Sequence, residues 1–163
     1  MSKLQNMRII EIPKFRAVSS GPSSFDELFG EDGFDRWIGA HSHLLKDLIY
    51  ACPDFMWHED NDIRQTVWIW AVREDVTEAD TAPYEIIEFQ GGVYLVATAD
   101  ESDAGDLNET VDCMTRWIEN SGVFERGGYP ESGMCNMPGA GAVDKALGIA
   151  QQQIFLPLKY REK

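Results

Sequence analysis

Cysteine is scarce in this chain, with three in 163 residues. Cys52, Cys113 and Cys135 lie far apart, with no Cys-x-x-Cys pair and no histidine pair at zinc-finger spacing, so neither a disulfide frame nor a structural metal site is indicated. The odd count, with a Met1 to Arg8 stretch that lacks the apolar core of a signal peptide, fits a reducing cytoplasm. Long hydrophobic runs are missing too. The longest are of the size of Trp68-Ile69-Trp70-Ala71-Val72, far short of the ~18–20 residues that cross a bilayer as a helix, and no membrane association is expected. Basic side chains are few: 14 Lys and Arg stand against 28 Asp and Glu, a formal net charge of -14. Phosphate backbones repel such a surface, which speaks against direct nucleic-acid binding. The acidic surplus serves solubility first, and attraction of cationic ligands or a basic protein partner second.

Catalytic signatures are also lacking. No serine sits in a nucleophile elbow, and the glycine-rich Gly139-Ala140-Gly141-Ala142-Val143-Asp144-Lys145 has neither the Walker spacing nor Gly-x-Gly-x-x-Gly, so it reads as a loop before the last strand. His41 and His43 are two apart on an expected helix and face different directions, and His58 is remote from both. Neither a metal nor a cofactor is expected. An enzyme here would rely on carboxylates, with Glu85, Glu88 and Glu131 as candidates.

The content that is present is that of one globular domain, 44% apolar and 26% charged over residues 1–163. Residues 8–20 read as an extended segment bent at Pro13. Phe34, Trp37, Ile38, Leu44, Leu45, Leu48 and Ile49 predict one helix over 34–50, stopped by Cys52-Pro53. Thr66 to Glu74 predicts a strand that is apolar on both faces, 75–83 a polar loop, and Tyr84 to Ala99 a strand pair turning at Gln90-Gly91-Gly92. Asp106 with Glu109 opens a second helix, with Leu107, Val111, Met114 and Ile118 as its buried stripe and Gly122 as a left-handed cap. Met134 to Met137 and Ile154 to Leu158 predict the last strands. The order suggests a duplication, with pseudo-repeats over about 1–80 and 81–163.

Aromatic residues are the strongest functional clue. Flat rings bind planar or cationic organic molecules, and a carboxylate opposite them selects positive charge. Trp57, Trp68, Trp70, Tyr94, Glu131, Met134 and Phe155 are the candidate ligand-binding residues.

Ile9-Ile10-Glu11-Ile12-Pro13 with Arg16-Ala17-Val18, then Gln90-Gly91-Gly92-Val93-Tyr94-Leu95-Val96-Ala97, Trp117-Ile118-Glu119-Asn120-Ser121-Gly122 and Ile154-Phe155-Leu156-Pro157-Leu158-Lys159 follow one another in an order that resembles GyrI-like small-molecule-binding domains. These are also the effector-binding domains of AraC- and MerR-type multidrug regulators. The resemblance spans nearly the whole chain. It implies an α+β fold made of a duplicated strand-helix-strand-strand module, with an antiparallel sheet and a ligand groove between the halves. It also implies a glutamate that neutralises cationic drugs, set in a Glu-x-Tyr pattern after the second helix. The matching stretch here, Tyr129-Pro130-Glu131-Ser132-Gly133-Met134, lacks that pattern, and Glu131 is its nearest counterpart. With no helix-turn-helix segment before it, the chain resembles a stand-alone member. Such relatives include binding modules for an effector or drug, inhibitors of DNA gyrase, and hydrolases of reactive cyclopropane-bearing toxins. The expected function is therefore ligand binding, with a hydrolase or an acidic protein-interaction role as alternatives.

Overall fold

Period-two alternation of apolar side chains sets most strands, and the helices at Phe25–Phe29, Phe34–Ala40 and Ala104–Glu119 lay apolar side chains on them. The computed structural model describes residues 6–46, 53–138 and 141–162. In chain order the elements are β1 (Arg8–Ile12), β2 (Phe15–Ser19), α1 (Phe25–Phe29), α2 (Phe34–Ala40), a 3-10 turn (Ser42–Leu44), β3 (Asp54–His58), a second 3-10 turn (Glu59–Asn61), β4 (Thr66–Ala71), α3 (Glu78–Thr81), β5 (Glu85–Phe89), β6 (Gly92–Asp100), α4 (Ala104–Glu119), β7 (Phe124–Arg126), β8 (Met134–Asn136), α5 (Ala142–Leu147) and β9 (Gln151–Tyr160). The fold is α+β, and the chain divides into two units, Pro13–Gly91 and Met1–Ile12 with Gly92–Lys163.

In the unit Pro13–Gly91 the strand order is β3-β4-β2-β5, all antiparallel. In the other it is β1-β6-β9-β8, again antiparallel, with β7 on the Leu158–Tyr160 end of β9. Both follow one plan: a strand leads into helix, and two later strands return to its side, as β2, α1, α2, β3, β4 and as β6, α4, β8, β9. This is the duplicated strand-helix-strand-strand module that the sequence led us to expect.

In the first of these units α1 and α2 cover one sheet face. Val18, Leu28, Phe34, Ile38, Trp68 and Val72 are buried there, with Trp37, Met56, Trp70, Tyr84 and Ile86 packed around them. Burial of each large side chain contributes about 1.5–3 kcal/mol. Helix α1 starts at a capping box, in which the Ser24 side chain accepts from the Glu27 N–H while the Glu27 carboxylate accepts from the Ser24 N–H at 2.7 Å.

The helix expected over 34–50 is shorter. Helix α2 ends at Ala40, a 3-10 turn follows, and Leu45 pairs as an isolated bridge with Val72. Leu44 lies six residues after Ile38, about 600° around a helix and so far off its stripe. A change of backbone course brings Leu44 and Leu45 into the core instead. The remainder of that expected helix, with Leu48, Ile49 and the Cys52 stop, falls outside the described residues.

In the unit containing Gly92–Lys163, α4 packs Met114 and Ile118 against Leu95, Ala97, Ala99, Ile154, Leu156 and Leu158. The cap lies at Asp103 rather than Asp106, its carboxylate accepting from the Gly105 and Asp106 N–H groups. Asp106 and Thr110 continue the buried row, two turns and one turn before Met114, whereas Val111 is exposed. Asp106 holds this inner place because its carboxylate accepts from the Asp100 N–H at 2.8 Å. The expected left-handed cap at Gly122 is not formed; the helix ends at Asn120 in ordinary helical geometry. Inside the stretch read as a loop before the last strand, residues 142–147 form α5, which buries none of its side chains.

Candidate functional site

Each unit has a sheet face turned away from its helices, and these two faces carry the aromatic side chains of interest. In the unit Pro13–Gly91 the registers Phe15↔Phe89, Phe55↔Ile69 and Trp57↔Val67 place Phe15, Phe55, Trp57 and Phe89 on that face. The rings form one cluster: Phe15 lies 5.1 Å from Phe89 and 6.1 Å from Phe55, and Phe89 lies 6.2 Å from Phe55 and 6.1 Å from Trp57. Trp57 is buried, and its indole N–H donates to Glu59 Oε2 at 2.9 Å.

The equivalent face of the other unit carries Tyr94, Val96 and Thr98 from β6, with Phe155 and Gln153 from β9 and Met134 and Asn136 from β8. Tyr94 and Phe155 meet edge to face at 6.4 Å, and Met134 is the ladder partner of Phe155. The Tyr94 hydroxyl donates to the Tyr129 carbonyl at 2.8 Å. Burial pushes this phenol up to about 12, so it stays a neutral donor at any physiological pH. The face is graded, from rings at Tyr94 and Phe155 to carboxamides and a hydroxyl at Gln153, Asn136 and Thr98. Gly133 makes the β8 approach possible: it sits at φ 85°, and a Cβ there would lie 2.9 Å from the Phe155 carbonyl oxygen.

The seven residues singled out from the sequence therefore separate into groups. Tyr94, Met134 and Phe155 share one face, and Trp57 lies on the corresponding face of the other unit. Trp68 and Trp70 are neighbours at 6.2 Å, but on the helix-covered side of β4, where Trp68 packs against Phe29 at 5.5 Å and Phe34 at 5.6 Å. Glu131 is exposed in the turn before β8, and its main-chain carbonyl accepts from Arg126 Nη2.

Sequence reasoning missed the carboxylate with the most unusual surroundings. Asp54 opens β3 and accepts from Trp68 Nε1 at 3.0 Å. Burial raises its pKa above the ordinary aspartate value, opposed in part by that indole hydrogen bond. Trp70 is its ladder partner, and the Trp70 indole N–H is buried with no hydrogen-bond acceptor among the described residues. The signal was present in Asp54-Phe55-Met56-Trp57-His58, whose alternation marks a strand and sets Asp54 on the face of Met56. Glu85 and Glu88 are solvated edge groups, Glu88 pairing with Lys14 at 2.7 Å. His41 stacks on Trp37 at 4.2 Å, and its Nδ1 meets the Trp37 carbonyl at 2.8 Å. Among the described residues no group of three or more His, Cys, Asp or Glu side chains is placed to hold a metal ion. A cavity of about 450 Å³ opens beside α1 and α2, lined by Ser20, Ser23, Asp26, Glu27, Asp32 and Tyr84.

No family model matches the sequence, and no curated protein matches it. The fold, however, is shared with solved structures. SAV2435 bound to tetraphenylphosphonium is similar at TM-score 0.58 and 12% identity, covering 95% of this chain and 94% of its own. A hydrolase encoded by lin2189 from Listeria innocua is similar at TM-score 0.66 and 14% identity, covering 95% and 92%. The EcmrR C-terminal domain is similar at TM-score 0.61 and 13% identity, covering 96% and 98%. The architecture is thus shared with SAV2435 bound to tetraphenylphosphonium and with the EcmrR C-terminal domain.

Proposed function

We propose that this chain is a small-molecule-binding module of the GyrI-like kind, taking a planar or cationic organic ligand against the aromatic sheet faces turned away from the helices. The observation that carries the reading is the ring cluster Phe15, Phe55, Trp57 and Phe89, which no helix of its own unit covers. Ring faces attract cations, by about 0.5–2 kcal/mol per contact, and favour flat molecules by stacking. Trp57 is the proposed wall on the face of the unit Pro13–Gly91, with Trp68 and Trp70 in the layer behind it; Tyr94, Met134 and Phe155 are the proposed wall on the face of the other unit, with Glu131 as that unit's proposed charged group. The net charge of -14 adds a field that draws cations in. That SAV2435, which shares the fold, has been seen with tetraphenylphosphonium supports the choice of ligand class.

Titration with tetraphenylphosphonium and planar cationic dyes, followed by tryptophan fluorescence, tests this. Saturable quenching is expected, weakened several-fold in Trp57→Phe and little changed in Trp37→Phe. Absence of quenching across the panel, or equal weakening in both variants, would sink the reading.

A hydrolase is the second reading, favoured by Asp54. A desolvated carboxylate with a raised pKa can serve as a general base toward water. Turnover of an electrophilic substrate that disappears in Asp54→Asn, with folding and dye binding intact, is its expected signature.

A further inference from the structure

A second recess lies on the unit containing Gly92–Lys163, on the outer side of α4. Cys113, Arg116, Trp117 and Asn120 recur at three and four residues along the helix, and with Ser121 and Met7, which precedes β1, they line a groove of about 600 Å³. Its lining is mostly apolar. Trp117 and Met7 are 38% and 43% exposed, and Ile9 beside Met7 on the same chain segment is 43% exposed. A volume of this size holds a small ligand.

Among the described residues that line the groove, Arg116 is the one cation, and it has no carboxylate partner. Arg116 Nη2 donates to Cys113 Sγ at 3.3 Å, and among the described residues Arg116 makes no ion pair. The Cys113 sulfur, followed by the charges of Asp112 and Glu109, raises its pKa, so it is permanently charged. A guanidinium whose side-chain partner is a thiol has donors left for an oxyanion, and the fork geometry suits a carboxylate. Asp112 and Glu109 on the same helix oppose a second negative charge, which disfavours a phosphate dianion. The overall charge of -14 likewise disfavours an anionic membrane surface, where many charges meet at once, whereas a single bound ion feels chiefly its neighbours within a Debye length of about 8 Å.

We propose that this groove binds a single-chain amphiphile with a monovalent carboxylate head, the head on Arg116 and the tail along Trp117 and Met7. The site is separate from the aromatic sheet faces and stands whether or not those bind a ligand.

Laurate below its micellar concentration is the probe, with dodecanol and dodecyltrimethylammonium as uncharged and cationic counterparts. Binding is read as protection of Cys113 from iodoacetamide, quantified on its own peptide, with the Cys135 peptide as internal reference. Saturating laurate is expected to slow Cys113 alkylation about tenfold and to bind about tenfold more tightly than dodecanol, the gain of one charge-assisted contact. Arg116→Gln, a change at an exposed helix position, is expected to erase that preference while leaving dodecanol binding and the melting temperature unchanged. Trp57→Phe is expected to leave it intact. Equal protection by laurate and dodecanol, stronger protection by dodecyltrimethylammonium, or no protection by any of the three overturns the proposal. Binding to phosphatidylglycerol vesicles with no protection by free laurate overturns it in favour of a membrane surface.

Discussion

Replacing Tyr94 by phenylalanine removes one oxygen from a side chain that is 1% exposed and leaves the ring's packing on Phe155 in place. At neutral pH the loss is one hydrogen bond to the Tyr129 carbonyl. Such a bond contributes about 1 kcal/mol net, and since Tyr129 lies in an exposed turn, water can replace the lost donor and keep the cost near that value. The alkaline behaviour is more telling. The folded pKa of about 12 lies above the ordinary value of 10, so the native state keeps this proton longer than the unfolded chain does. Stability is therefore fully present below pH 10 and is lost as pH rises toward 12, by about 3 kcal/mol in total if the two-unit shift is taken at 1.36 kcal/mol per unit. The phenylalanine variant has no such group. Wild type should be more stable than Tyr94→Phe by about 1 kcal/mol at pH 8, and the difference should change sign near about pH 11. Urea denaturation of both proteins from pH 8 to 11.5 measures it, with other titrating groups cancelling in the difference. A difference that stays constant with pH would refute the burial of the Tyr94 hydroxyl.

Two further outcomes follow from the same physics. Asp54 has a raised folded pKa, so its carboxylate costs stability as pH climbs above the unfolded value of 3.8; Asp54→Asn, which keeps an acceptor for Trp68 Nε1, should stabilise the protein at pH 7 relative to wild type and lose that advantage near pH 3, as read by thermal melts at both pH values. Gly133→Ala should destabilise by more than about 1 kcal/mol, because φ 85° is strained for alanine and its Cβ meets the Phe155 carbonyl; a melting temperature equal to wild type would contradict this.

Alternation made β4, β6 and β9 legible, and the spacing of Met114 and Ile118 did the same for α4. Where the sequence misled, backbone chemistry overrode the apolar pattern. Asp106 displaced Val111 from the inner row of α4 because its carboxylate caps a strand N–H, a role that hydropathy cannot register. Ser24 and Glu27 carried the capping-box signature of α1, but a five-residue helix offers too little periodicity to be noticed. The aromatic residues were identified by type, and their separation into faces that carry helices and faces that do not depends on strand register. Trp57 and Trp68 differ in face because β3 and β4 pair as Trp57↔Val67 and Met56↔Trp68, which composition does not reveal. The evidence for Asp54 lay in the same pairing.

The first strand has an unusual allegiance. Only Pro13 and Lys14 separate β1 from β2, yet β1 belongs to the unit Gly92–Lys163, where it flanks β6 along Arg8↔Val96 to Ile12↔Gly92. Cutting the polypeptide after Gly91 would therefore not release two self-sufficient halves. The distal piece would expose the bare edge of β6, an invitation to self-association, and a synthetic peptide spanning the first dozen residues would be the natural plug for that gap.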